Sequence, residues 1–322
     1  MTKPPDVSIV VPARNAAAVI PRLFAALDRT TFEGEWEAIV ADNASTDGTP
    51  ELAEAWGARV IRLDNTGGPG AGRNAGAAAA RAPLVAFTDA DCEPCPEWLT
   101  RMTAALAEAD IATGAVLPAR RPSHAFERSV WVRRESPLFE SANLAVRREL
   151  LEKVGGFEPF LHRSGAAGGL RPTIDEAPFG EDAVFGWRAI RAGARRRFVD
   201  DAVVRHAVFP RGPRGYVAEC WRLRFFPALV REIPELRDHL PLRFFLTKES
   251  ALFDLAVAST VAAVSTRQPL AAVGALPYLR RRMRLRGGWR SVSRHNAGLA
   301  AGDLVALVAL VRGSIAARRL LV

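Results

Sequence analysis

The sequence has few cysteines, few acids in its last third and no long, uninterrupted apolar run. Three cysteines among 322 residues cannot form a disulfide framework, so we expect a reducing compartment. The first twelve residues contain no basic-then-apolar segment, so we expect no cleaved secretion signal. Three apolar stretches near the end of the chain contain an aspartate or prolines, and none reaches the ~20 clean apolar residues of a spanning helix. They are residues 250–266, 268–279 and 297–311.

Charge is distributed unevenly along the chain, whose formal net charge is +9. Residues 205–322 carry 20 Lys and Arg against 7 Asp and Glu, whereas residues 1–204 carry 24 against 28. An acidic front and a basic rear indicate two parts with different partners. We therefore predict one domain over residues 1–210 and a helical, basic and apolar region over residues 211–322.

The first part alternates short apolar runs with helical patterns. Four runs have the length and β-branched content of buried strands: residues 7–12, 37–42, 58–63 and 83–88. Helical patterns separate them, the first with Asn15 as its N-cap and the third over about 69–81. Strands and helices that alternate at this spacing predict an α/β fold, with a mostly parallel sheet covered by helices on both faces.

Polar side chains follow the second and fourth of these strands. Asp42 and Asn43 end the second, while Asp89 and Asp91 come directly after the fourth, separated by Ala90. Ligands of such sheets bind beyond the carboxyl ends of the strands. Two carboxylates at this spacing can converge on Mg²⁺ or Mn²⁺, which would hold the phosphates of a nucleotide. The alternative is that Asp89 caps the next helix and Asp91 is solvated.

Six motifs, in order, make the chain similar to family 2 glycosyltransferases of the GT-A fold. They are SIVVPARN (8–15), VADNASTDGT (40–49), RNAG (73–76), FTDADC (87–92), ANLAVRRELLEKVGGF (142–157) and GEDAVFGWR (180–188). The resemblance extends from residue 7 to about 206. It implies an inverting enzyme that moves a sugar from a nucleotide-sugar donor to an acceptor hydroxyl, with Mn²⁺ or Mg²⁺ as cofactor.

The resemblance also implies roles for individual residues. The general base would be Asp182, and the metal ligands would be Asp89, Asp91 and His206. The nucleotide-sugar would contact Pro12, Ala13, Arg14, Asn15, Asp42, Asn43, Arg73, Asp89 and Ala90. The acceptor would contact Asn143, Glu181 and Trp187.

Each of these roles has an alternative. His206 can be an ordinary structural histidine, and Arg14 and Arg73 can be surface arginines. Glu181 and Asp182 can serve only to complement the dipole of the helix that they begin.

Three further stretches have readings outside this scheme. The glycine-rich residues 162–180 are either a lid over the sugar or a plain surface loop. The segment GAGRNA (70–75) is close to a dinucleotide-binding fingerprint. Because it follows the third strand, we favour a tight turn near the diphosphate over an oxidoreductase site. Cys92 and Cys95 form a C-x-x-C pair without the second ligand pair of a zinc site.

The rear region combines short apolar helices with arginine clusters such as RRRMRLRGGWRSVSR (280–294). This combination is typical of a protein that lies in a membrane interface and is attracted to anionic lipid. The alternatives are a soluble helical subdomain and an oligomer interface. Nothing resembles a nucleic-acid module, so we expect no nucleic-acid partner.

We therefore expect a cytoplasmic enzyme, peripheral on the inner face of the cell membrane, that acts in cell-envelope glycan or glycolipid synthesis. Its acceptor would be a glycan, a lipid-linked molecule or a small molecule. The competing function is a non-catalytic, membrane-associated binding or scaffold protein on the same fold. Retention of Asp89, Asp91 and Asp182 together argues against that alternative.

Overall fold

The structure is a computed structural model that describes residues 3–64, 67–158, 179–283 and 289–321. Its internal contacts divide the chain into two units, with the main boundary between Phe209 and Pro210. The predicted domain boundary after residue 210 stays a prediction, because contacts do not test whether either part folds alone. The sheet unit contains residues 3–64, 67–123, 128–158 and 179–209, and the helical unit contains residues 124–127, 210–283 and 289–321.

The sheet unit is built on an eight-stranded mixed sheet. Its strands are β1 (Val7–Ala13), β2 (Trp36–Asp42), β3 (Arg59–Arg62), β4 (Leu84–Phe87), β5 (Cys92–Pro94), β6 (Ile111–Pro118), β7 (Leu144–Arg147) and β8 (Arg196–His206). Their order is β3-β2-β1-β4-β7-β6-β8-β5. Strand β1 pairs in parallel with β2 and β4, whereas β5 and β7 run antiparallel to their neighbours. The predicted mostly parallel α/β sheet is confirmed.

Helices cover both faces of this sheet. They are α1 (Ile20–Leu27), α2 (Thr49–Trp56), α3 (Gly68–Ala79), α4 (Trp98–Glu108), α5 (Arg148–Val154) and α6 (Glu181–Arg191). Successive side chains of a strand point to opposite faces. Ile9 of β1 accordingly packs into one apolar core with Trp98, and Val10 packs into a second core with Phe87.

The prediction that Asn15 caps the first helix is wrong. Helix α1 begins at Ile20, with Val19 as its N-cap. Asn15 has a left-handed backbone with φ 49°, which asparagine tolerates better than most residues. Its N–H donates to Oγ of Ser45 at 2.9 Å, and its Oδ1 accepts from the N–H of Thr46 at 2.9 Å. Asn15 therefore ties the turn after β1 to the loop after β2.

Helix α3 lies close to β1 because glycines face the strand. A Cβ atom on Gly76 would overlap Cγ1 of Val10, and one on Gly72 would lie 3.1 Å from Cβ of Pro12. The segment that resembles a dinucleotide-binding fingerprint is thus the body of this helix. The close approach brings Arg73 to the carboxyl ends of the strands.

The helical unit contains α7 (Pro213–Cys220), α8 (Phe226–Glu232), α9 (Lys248–Thr266), α10 (Leu276–Arg282) and α11 (Trp289–Ala317). Helix α11 packs against α7, α8 and α9. Its one acid, Asp303, accepts hydrogen bonds from Tyr278 at 2.7 Å and Arg282 at 2.9 Å, which ties it to α10.

Among the described residues, one helix is long and apolar enough to cross a membrane by length and composition alone. It is Arg290–Ala317, and 33% of its most apolar stretch is buried. The apolar run predicted over residues 297–311 is part of a longer helix, which begins at Trp289 and continues to Ala317.

Candidate active site

The predicted site residues gather where the parallel strands end. Ala13 at the end of β1 is in register with Asp42 at the end of β2, and the N–H of Asn43 donates to the carbonyl of Ala13 at 2.8 Å. Strand β4 pairs with the other edge of β1 and leads directly into Asp89. Two polar loops therefore flank the end of β1.

Backbone hydrogen bonds hold the acidic triplet after β4 in place. The N–H of Cys92 donates to the carbonyl of Asp89 at 3.1 Å, and the N–H of Ala207 donates to the carbonyl of Asp91 at 2.9 Å. Cys92 is paired with His206 in the antiparallel ladder of β5 and β8. This pairing places Nε2 of His206 at 3.5 Å from Oδ2 of Asp91.

The resulting group of side chains fits a divalent cation. One ligand atom from each of Asp89, Asp91, Cys92 and His206 lies within 4.8 Å of the others. Burial and the charge of Asp89 raise the pKa of Asp91, against the lowering effect of His206 and Arg128. A cation would offset this repulsion, and two carboxylates with an imidazole suit Mn²⁺ or Mg²⁺.

Cys92 is the softest of these four groups. Burial, followed by the charges of Asp89 and Asp91, raises the pKa of its thiol well above the ordinary value. Mg²⁺ and Mn²⁺ prefer oxygen and nitrogen ligands to sulfur, so the predicted ligands remain Asp89, Asp91 and His206. Cys95, the partner in the C-x-x-C pair, is a free thiol, and its Sγ lies 3.8 Å from the carbonyl of Asp201.

Arg73 is a buried cation between three acids. Its Nη2 donates to Oδ1 of Asp89 at 2.8 Å, and its Nη1 donates to Oδ1 of Asp182 at 3.2 Å. Nη1 also lies 3.9 Å from Oε1 of Glu181. Burial alone would lower the pKa of Arg73, but the charges of Asp182, Asp89 and Glu181 raise it above its ordinary value. Arg73 thus bridges a predicted metal ligand and the predicted base.

Asp182 is held from two sides in the first turn of α6. Gly180 precedes this helix with φ 79°, a left-handed conformation that glycine adopts without strain. Oδ2 of Asp182 accepts hydrogen bonds from the N–H of Ser141 at 3.1 Å and from its Oγ at 2.8 Å. Since Arg73 contacts the other oxygen, the carboxylate has a defined orientation.

On the far side of β1, two buried side chains keep an oxygen without a partner. Oδ1 of Asp42 and Oδ1 of Asn43 accept no hydrogen bond within the described part of the chain. Leaving such an oxygen buried and unpaired costs about 1–3 kcal/mol, which a bound donor group would relieve. The other predicted nucleotide contacts nearby differ in exposure, since Arg14 and Asn15 are exposed, Pro12 is half-buried and Ala13 is buried.

Two predicted acceptor contacts are engaged inside the protein. The carboxamide of Asn143 is buried, donates to the carbonyls of Ala115 at 2.9 Å and Ala202 at 2.6 Å, and accepts from Nε1 of Trp98 at 2.8 Å. Nε1 of Trp187 donates to the carbonyl of Pro137 at 2.9 Å. Their roles in acceptor binding stay predictions, and the contacts present are those of packing residues.

Three residues near the site were not among the predicted site residues: Glu140, Ser141 and Cys92. Ser141 stands just before the ANLAV motif, and that position was its only signal. Glu140 neighbours it, and burial raises the pKa of its carboxyl. Of the predicted lid, residues 162–180, all but Phe179 and Gly180 lie outside the described residues.

Comparisons with known proteins agree with the motifs. The profile of Glycosyl transferase family 2 matches residues 8–164. Glycosyltransferase AglE of Haloferax volcanii is 26% identical over 225 residues, which cover 65% of this chain and 69% of that protein. The pre-mycofactocin glycosyltransferase of Mycobacterium tuberculosis is 28% identical over 221 residues, covering 62% of this chain but 42% of that protein.

A solved structure shows the same fold. The mannosyltransferase PcManGT of Pyrobaculum calidifontis, in complex with GDP-Man and Mn²⁺, superposes with a TM-score of 0.61 at 23% identity. The match covers 95% of this chain and 88% of that one. The predicted GT-A architecture is thereby confirmed.

Proposed function

This chain belongs to glycosyl transferase family 2, and we propose that it transfers a sugar from a nucleotide-sugar to an acceptor hydroxyl with inversion. The observation that carries the proposal is one cluster at the carboxyl ends of β1 and β4. In it, Asp89, Asp91 and His206 form a cation-binding group, and Arg73 links that group to Asp182.

For donor binding, we assign the nucleotide to the side of Asp42 and Asn43 and the diphosphate to the side of Asp89 and Asp91. The unpaired oxygens of Asp42 and Asn43 can accept hydrogen bonds from the donor. When bound, Mn²⁺ or Mg²⁺ would neutralise the charge that develops on the leaving diphosphate. The GDP-Man and Mn²⁺ of the Pyrobaculum mannosyltransferase support this class of donor and cofactor.

For the transfer itself, we assign Asp182 as the general base. It would take the proton of the acceptor hydroxyl as that oxygen attacks the anomeric carbon, while the bond from this carbon to the diphosphate breaks on the opposite face. Ser141 and Arg73 orient the carboxylate. We assign acceptor binding to Glu181, whose Oε1 lies 3.9 Å from Nη1 of Arg73. A single displacement of this kind inverts the anomeric centre.

For the acceptor, we propose a lipid-linked or cell-envelope glycan at the cytoplasmic face of the membrane. The basic charge and the exposed apolar side chains of the helical unit support this choice. A soluble small molecule remains the other acceptor class that the sequence allows.

The test is donor turnover by the purified chain with a panel of nucleotide-sugars, measured as release of nucleoside diphosphate. We expect release from one donor with Mn²⁺ and none with EDTA. Asp182→Asn should still bind the donor but lose about 10²–10⁴-fold in turnover, the usual contribution of a general base. Asp64→Asn, which changes an exposed acid, is the matched control and should behave as wild type.

Product stereochemistry completes this test. With the acceptor identified, NMR of the product should show the anomeric configuration opposite to that of the donor. A retained configuration would overturn the single displacement. If no nucleotide-sugar is bound or consumed under any condition, the competing function as a non-catalytic binding protein replaces this proposal.

A further inference from the structure

The hairpin of α9 and α10 leaves its end without a protein partner among the described residues. We call residues 261–276 the apolar tip. It contains the end of α9, a left-handed turn at Arg267 with φ 57°, a 3-10 helix over Pro269–Ala275 and the start of α10. Its large apolar side chains are each exposed by at least 44%: Val261, Val264, Leu270, Val273 and Leu276.

Helix α9 shows the same feature along its length. Of its 19 residues, two are buried, Phe253 and Ala256, and both precede the tip. Residues 257–266 carry no charged side chain, and such a largely apolar helical segment is stable when it is buried in protein or in lipid. The ten residues after Ala256 extend about 15 Å at 1.5 Å per residue. That length suits the ~5–10 Å depth of an interfacial segment and is too short to span a membrane.

Three hydroxyl groups of this helix donate hydrogen bonds to the backbone of the helix itself. Ser259, Thr260 and Thr266 donate to the carbonyls of Leu255, Ala256 and Ala262, at 2.7, 2.8 and 2.7 Å. Such bonds to the preceding turn satisfy the donors without water, as is required of polar groups in an apolar medium.

The charges around the tip have one sign. Between Asp254 and Asp303 the sequence has eight arginines and no acid. Arg267 lies within the tip and Arg280 follows it, and both are exposed. Arg281 is different, because it is paired with Glu249 at 2.8 Å. An apolar surface rimmed by unopposed cations is complementary to a membrane that carries anionic headgroups.

We propose that the apolar tip inserts into the headgroup region of an anionic membrane, with Arg267 and Arg280 contacting lipid phosphates. The membrane is the source of phosphate because the apolar side chains beside these arginines need a hydrocarbon partner. This inference rests on the proposed function in one respect: docking would bring the enzyme to the membrane surface at which a lipid-linked acceptor is presented.

The test is flotation of the full chain with vesicles of phosphatidylcholine, alone or mixed with phosphatidylglycerol. Wild type should bind the mixed vesicles far better, and salt should weaken that binding. Arg267→Gln and Arg280→Gln together should lower partitioning by about fivefold per arginine. Val264→Ser and Leu270→Ser together should lower it by about tenfold per side chain.

Stability does not confound these variants. Val264 and Leu270 are exposed by 75% and 83%, so circular dichroism should report unchanged folding. The matched control is Leu52→Ser in α2, an exposed leucine of the sheet unit, which should bind vesicles as wild type does.

Three results would overturn the docking proposal. They are absent vesicle binding by wild type, equal binding by the tip variants, and a self-associating wild type that Val264→Ser and Leu270→Ser convert to a monomer without any lipid binding.

Nucleoside diphosphate binding with Mn²⁺, measured on the same samples, separates the docking proposal from the proposed sugar transfer. Donor binding without vesicle binding overturns only the docking, and vesicle binding without donor binding overturns only the sugar transfer.

Discussion

Replacing Arg73 by methionine should be among the most damaging single changes in the sheet unit. Its side chain is 5% exposed, and its guanidinium faces three carboxylates at 2.8, 3.2 and 3.9 Å. Breaking a buried ion pair from one side typically costs about 3–5 kcal/mol, because the remaining charges are left uncompensated. Asp89 and Asp182 are 27% and 26% exposed, so water screens part of this effect. We therefore expect Arg73→Met to lower the free energy of unfolding by about 3 kcal/mol, the lower end of that range.

Urea unfolding of the metal-free protein, followed by circular dichroism, measures this loss. Arg73→Lys should lose less, about 1–2 kcal/mol, because it keeps the charge but cannot reach Asp89 and Asp182 together as a planar fork does. The matched control is Arg62→Met, whose side chain is 53% exposed and contacts Glu51 and Glu54, both at 3.2 Å. Exposed ion pairs contribute about 0–1 kcal/mol to the free energy of unfolding. An Arg73→Met protein no less stable than Arg62→Met would refute the reasoning.

Three further changes test separate parts of the structure by the same unfolding measurement. Asn143→Ala should cost about 3 kcal/mol, since it leaves three buried partners unpaired, and a fully stable variant would contradict the packing role. Gly76→Ala should cost about 1–3 kcal/mol because its methyl group would overlap Val10. Gly212→Ala has open space and should cost less, about 0.5 kcal/mol, because it changes only the N-cap of α7. Burial raises the pKa of Asp254 from the ordinary 3.8 to about 6, so this group lowers the stability of the folded state as the pH rises from 3.8 to about 6, and the loss is constant above that. Asp254→Asn should therefore gain about 1 kcal/mol above pH ~7 and almost nothing near pH ~4, and a gain that does not depend on pH would contradict this.

The strands that carry the site could be predicted because their runs are short, apolar and bounded by turns. Strand β1 extends one residue beyond the predicted run, and β2 begins one residue before its predicted run.

Helix α1 shows the limit of such patterns. Asn15 has the chemistry of a cap, but its side chain bonds to a loop some thirty residues away. A local pattern cannot show which distant partner competes for a side chain.

The residues of the site were likewise predictable where a local pattern placed them, and not where a contact between distant residues did. The acids at the strand ends were visible in sequence, since parallel strands bring their carboxyl ends to one edge. The contact of Arg73 with Asp182 joins residues 109 positions apart, and no spacing predicts it. The pairing of β5 with β8 places His206 beside Cys92 and the acids, and β5 has only three residues, too few to give a pattern.

The most direct test of the central claim is calorimetric titration of the purified chain with a panel of nucleoside diphosphates, with and without Mn²⁺. The account predicts that one of them binds only when the metal is present. It also predicts that Asp91→Ala abolishes this binding, while Asp64→Asn leaves it unchanged. Binding that is equally tight without metal, or that survives Asp91→Ala, would contradict the assignment of Asp89, Asp91 and His206 as the cation site.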